Sequence, residues 1–108
     1  MPQWTAATVA DDKILGYLLS AMHLRGKDKA RLFGALGYTS DNWLQLRADV
    51  LAVARGGEEA AVSPTSHGTK YVVDGVVVSP IGRPVNLRTV WIVDVNSEVP
   101  RLVTAYPR

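Results

Sequence analysis

The apolar positions of the first half of the chain recur at helical spacing, and those of the second half at strand spacing. Ile14, Leu15, Leu18, Leu19 and Met22 repeat every three or four residues, which predicts a helix from Asp11 or Asp12 to about Met22. Two acids occupy its first turn, where the helix dipole favours them, and Gly16 weakens its middle. The stretch "HLRG" then breaks the chain. A second helix spans about Lys27 to Leu36 and stops at Gly37, a residue suited to the left-handed position that ends helices. The third begins after Thr39 or Ser40, either of which caps it. It carries Trp43, Leu44, Leu46, Val50, Leu51 and Ala54 as an apolar stripe and ends at Gly56-Gly57.

From Glu58 the period changes. A short strand is expected around Ala60 to Val62. "TKYVVDGVVVS" and "LRTVWIVDV" are rich in the β-branched and aromatic residues that pack on a pleated surface, and "RLVTAY" supplies a fourth strand. The connections "SPIGRPVN" and "NSEVP" hold Gly, Pro and Asn, so consecutive strands should turn back on one another. The expectation is one α+β domain over residues 1–108. Its helical half, about 11–56, packs on one face of an antiparallel meander of about four strands, the sheet half being about 59–107.

Composition adds bounds. A chain of 108 residues with 47% hydrophobic and 20% charged positions has enough apolar material for one ordered core without staples. Zero cysteines exclude disulfides and thiolate metal sites. "MPQWTAATVADD" has neither a basic leader nor an apolar block, and no apolar run approaches the length that spans a bilayer, so a cytoplasmic protein without membrane association is expected. The net charge of +2 is too small to announce nucleic-acid binding by itself. The charges are uneven, however: Arg25, Lys27, Lys29 and Arg31 surround a single acid, Asp28.

Several polar residues fall where apolar ones are expected. On a helical wheel Lys29 lies at the centre of a stripe formed by Leu32, Phe33 and Leu36, while Lys27 and Arg31 point away as ordinary solvated cations. Lys29 therefore either runs its methylenes over the core edge to water or meets an anion in a cleft between helices and sheet. Arg47 sits between Trp43 and Val50 on the apolar side of the third helix; a paired structural arginine is the simpler account there. His23 follows the first helix at a break, either as a cap for its last carbonyls or as a proton-transfer group, since imidazole titrates near ~6.5. His67 lies in the loop "SPTSHGTK", where surface chance suffices. Strand alternation puts Leu102, Thr104 and Tyr106 on one face of the last strand, opposite Arg101, Val103 and Ala105. Whether Arg88 joins the hydroxyls depends on register, because a one-residue slip reverses a strand's faces.

"KILGYLLSAMHLRGKDKARLFGALGYTSDNWLQL", "GTKYVVDGVVVSP", "RTVWIVDV" and "PRLVTAYP" together resemble a small bacterial domain family of stand-alone proteins and polymorphic-toxin tips. That family is similar to the superfamily grouping barnase, EndoU nucleases, colicin nuclease domains and RelE-like toxins (the BECR fold), in which helices precede an antiparallel sheet that cleaves RNA. The resemblance implies metal-independent RNA cleavage by 2′-hydroxyl attack, with a toxin–antitoxin setting and a cognate antitoxin protein as partner. It implies roles for His23, Lys29, Arg88, Thr104 and Tyr106, which are the expected catalytic residues; Arg25, Arg47, Lys70 and Arg101 are the expected substrate-binding residues. No cofactor or metal is expected: two histidines, no cysteine and no carboxylate cluster offer no evident ion site. A non-catalytic protein- or RNA-binding module of the same fold is the alternative.

Overall fold

A computed structural model describes residues 2–19 and 27–108. Helix α1 opens as an α-helical turn, Asp11–Lys13, and continues as a π-helical turn, Ile14–Leu18. Helices α2 (Lys27–Ala35) and α3 (Trp43–Gly56) follow, then strands β1 (Glu58–Thr65), β2 (Gly68–Val78), β3 (Pro84–Asp94) and β4 (Arg101–Pro107). The strands lie in the order β1-β2-β3-β4, every pair antiparallel. This is the α+β arrangement of helices on a four-stranded meander that the pattern predicts. Among the described residues, no helix is long and apolar enough to cross a membrane.

The core lies between the helices and one face of the sheet. Ile14, Leu18, Phe33, Leu46, Val50, Leu87 and Trp91 are buried there. Trp91 Nε1 donates to Thr89 Oγ1 at 2.7 Å, and that hydroxyl donates to the Val73 carbonyl at 2.8 Å. Both polar groups are thereby satisfied in an apolar setting, which offsets the cost of burying them. Trp4, in a 3-10 turn near the start, meets Tyr71 and Trp91 edge-on at 5.7 and 5.8 Å between ring centroids, closing one end of the core. Gly75 of β2 faces α3: a β-carbon there would stand 3.2 Å from both Val53 methyls. Its missing side chain lets helix and sheet approach closely.

Four details depart from the sequence expectations. The first helix is not uniform: Leu19 N–H bonds the Ile14 carbonyl at 2.9 Å, five residues back, so the ladder widens next to Gly16. Its expected end at Met22 lies outside the described residues. Helix α2 buries a narrower stripe than the wheel indicates, with Phe33 fully enclosed and Leu32 50% exposed. Strand β1 is longer than expected and exposed throughout, because it borders the sheet and no element among the described residues pairs with its far side.

The fourth departure governs the site. The register of β3 against β4 shifts between Val90 and Trp91, so Thr104 faces Val90 while Leu102 faces Trp91 and Val103 is the extra residue. A bulge of this kind breaks simple alternation. Leu102 and Ala105 consequently point into the core, whereas Arg101, Thr104 and Tyr106 share the outer face. The expectation that Leu102 shares a face with the two hydroxyls is corrected by that one residue.

Candidate functional site

The register answers the question left open for Arg88. It stands opposite Asp74 of β2 on one side and Tyr106 of β4 on the other, on the outer face. Its Nε and Nη2 donate to the two Asp74 carboxylate oxygens, each at 2.8 Å, and Arg108 Nη1 donates to Asp74 Oδ2 at 2.8 Å. The hydrogen bonds from Arg88, more than the opposing burial, hold the Asp74 carboxyl below the usual carboxylate range; Arg108 adds to the effect. Arg88 in turn is held more firmly protonated by the bond to Asp74, against desolvation, with Tyr106 contributing a further hydrogen bond.

Two residues before Tyr106, Thr104 lies on the same face and at the sheet border. Its Oγ1 donates to the Tyr17 hydroxyl at 3.4 Å. Tyr17 comes from the π-helical turn of α1, and its ring is approached by two ammonium groups: Lys13 Nζ at 5.2 Å and Lys29 Nζ at 5.4 Å from the centroid. Burial pushes the Tyr17 phenol up, but hydrogen bonds from Thr104 and Lys29 and the charges of Lys29 and Lys13 together carry it below the ordinary phenol value. Lys29 thus reaches a polar cluster rather than bulk water alone. A cleft of about 720 Å³ opens along this border, lined by Ala10, Asp12, Lys13, Gly16, Tyr17, Val103 and Thr104.

The structure therefore places Lys29 and Thr104 at Tyr17, and Arg88 beside Tyr106 on the same outer face as Thr104. His23 and Arg25 lie outside the described residues. Lys70 is exposed on the outer face of β2, opposite Ile92 and Ser63, four residues along the strand from Asp74. Arg101 shares that face but is clamped by Asp94, at 2.8 and 3.0 Å. Arg47 stands apart from the cluster. It pairs with Asp11 at 3.3 Å, between α3 and the start of α1. His67 is exposed in the β1–β2 turn, and its carbonyl accepts from the Val95 N–H at 3.1 Å.

Three members of the cluster were missed by sequence reasoning. Tyr17 has a signal, since it follows Lys13 by four residues and so shares its helix face. Asp74 is also visible as a lone acid inside the β-branched run "YVVDGVVV". Arg108, the last residue, carries no pattern. Among the described residues, no group of three or more His, Cys, Asp and Glu side chains is placed to hold a metal ion.

Helices backing a four-stranded meander, with an outer face bearing an arginine, two hydroxyls and a lysine-flanked phenol, define a small α+β domain with a polar sheet surface. The chain belongs to the DUF6883 family, a domain of unknown function, whose model matches residues 1–108. Its fold is similar to that of a chain in the contact-dependent growth inhibition toxin–immunity protein complex from Klebsiella pneumoniae 342. That chain is 15% identical with a TM-score of 0.75, the match covering 94% of this chain and 100% of the other. No curated protein matches the sequence.

Proposed function

We propose that this domain is a small ribonuclease toxin that cleaves RNA without a metal ion and is silenced by a cognate protein. The observation that carries the reading is the β3–β4 register, which sets Arg88 opposite Tyr106 and Thr104 two residues along on the same face, where Lys29 meets Tyr17. In RNA the ribose 2′-hydroxyl supplies the nucleophile, so the protein must provide a base, an acid for the departing 5′-oxygen and cations for the crowded phosphorane. His23 would serve as base or acid, with Tyr106 or Lys29 as its counterpart. Arg88 and Lys29 would neutralise developing charge; Asp74 accepts from Nε and Nη2 of Arg88, so Nη1 remains on the side away from that carboxylate. Thr104 would hold a phosphate oxygen. The RNA substrate implies a cytoplasmic site of action, and the toxin–immunity complex containing a chain of similar fold supports a protein partner.

The test compares cells expressing the wild type, His23→Ala and Arg88→Ala. Growth arrest with fragmented RNA is expected for the wild type alone; equally harmless expression of all three would remove the catalytic reading. A non-catalytic binding module is the second reading. It is favoured by the bidentate clamping of both Arg88 and Arg101, which engages these cations structurally. RNA affinity that falls with salt, without cleavage, is its signature.

A further inference from the structure

We infer that Tyr17 is a catalytic residue of this site, its hydroxyl oxygen serving as the base that takes the proton from the RNA 2′-hydroxyl in the cleft along β4. The inference rests on the ribonuclease reading and names a group that the sequence did not single out. Tyr106 is the obvious hydroxyl from sequence, but its neighbour across the β3–β4 ladder is Arg88, which Asp74 already engages. Tyr17 has the geometry a base requires. Its oxygen accepts from Thr104 at 3.4 Å, two ammonium groups lie 5.2 and 5.4 Å from its ring, and it lines an open cleft of about 720 Å³. Every one of these neighbours is a donor or a cation, and donors aimed at a phenol oxygen favour the deprotonated form. The direction of the Tyr17 shift agrees with that geometry. Among the described residues lining the cleft, the acid is Asp12.

The step balances as follows. The 2′-O–H proton passes to the Tyr17 oxygen as the 2′-oxygen bonds to phosphorus. The P–O5′ bond breaks, and the 5′-oxygen takes a proton from solvent in the open cleft. The products are a 2′,3′-cyclic phosphate and a 5′-hydroxyl. Lys13 and Lys29, with ammonium groups 5.2 and 5.4 Å from the Tyr17 ring, would favour loss of the phenol proton and offset charge building on the phosphate.

The experiment uses the purified chain and Tyr17→Phe, which keeps the ring and its packing but removes the oxygen. Cleavage is followed against pH on a mixed-sequence RNA, and binding is measured to a 2′-O-methyl oligonucleotide, which lacks the attacking hydroxyl. Tyr17→Phe should lower the cleavage rate by about 100-fold or more and abolish the rising alkaline limb, with oligonucleotide affinity within about twofold of wild type. Lys29→Met should move that limb to higher pH, as should the phenolate ultraviolet absorbance that Tyr17→Phe removes. A Tyr17→Phe protein that cleaves within threefold of wild type with the same pH profile overturns the role of Tyr17 alone. A wild type that leaves RNA intact overturns the ribonuclease reading and this role with it.

Discussion

Asp74 carries more of this site than its lone place in a β-branched run suggests. It accepts from both Arg88 and Arg108, with 19% of its side chain exposed, so its removal leaves two cations without their carboxylate. Asp74→Asn should lower stability by about 1–2 kcal/mol in urea titration at neutral pH, the range for hydrogen bonds to charged groups in a partly screened setting. The pH dependence has a defined sign. Asp74 titrates lower in the folded chain than in the unfolded one, so its contribution is complete above the ordinary carboxylate value of ~3.9 and fades as pH falls through the lower folded value. The stability gap between wild type and Asp74→Asn should hold constant from neutral pH to about 5 and close below ~4. Inside the core, Thr89→Val would leave the Trp91 indole N–H without its acceptor. A loss of about 1–3 kcal/mol in thermal or urea unfolding is expected, despite the nearly equal volumes.

At the level of elements, the sequence was legible wherever one local rule decided the outcome. Helical spacing marked α2 and α3, β-branched runs marked β2 and β3, and Gly37 ended α2 as expected, with φ of 93° that only glycine adopts freely. The parts that were not legible depend on two elements at once. The bulge at Val103 is fixed by how β4 seats against β3, and without it the alternation of β4 pairs Leu102 with the wrong neighbours. The π-helical turn, likewise, depends on how Tyr17 meets the sheet border, although Gly16 marks the weak point. His23, expected from the sequence as a proton-transfer group, lies outside the described residues. A packing test belongs here too. Gly75→Ala sets a methyl 3.2 Å from both Val53 γ-carbons, and a destabilisation of about 1–3 kcal/mol is expected from overpacking. Val53→Ala should recover part of that loss in the double variant, as a coupling energy in urea titrations.

For the whole molecule, charge would set how RNA is held under the proposed function. The surplus is only +2, and Arg47, Arg88 and Arg101 are each paired with an acid. If Lys13, Lys29 and one arginine neutralise about three phosphates of a single strand, log affinity should fall against log salt with a slope near −2. Fluorescence anisotropy with a 2′-O-methyl oligonucleotide measures it; a slope beyond about −5 would mean that a far larger basic surface is engaged.

The two borders of the sheet differ. The β4 border is partly covered by Thr8, whose amide and carbonyl bond Pro100 and Leu102, and by Tyr17 farther along. The β1 border offers eight residues of backbone, guarded by Glu58 and Glu59 at one end and Pro64 near the other. Two like charges and an imino acid are thus the barrier against strand-to-strand stacking of one molecule on the next. Replacing both glutamates with threonine should turn a monodisperse solution turbid at concentrations the parent tolerates, as light scattering would report. Solubility, on this view, resides in the least buried strand of the protein.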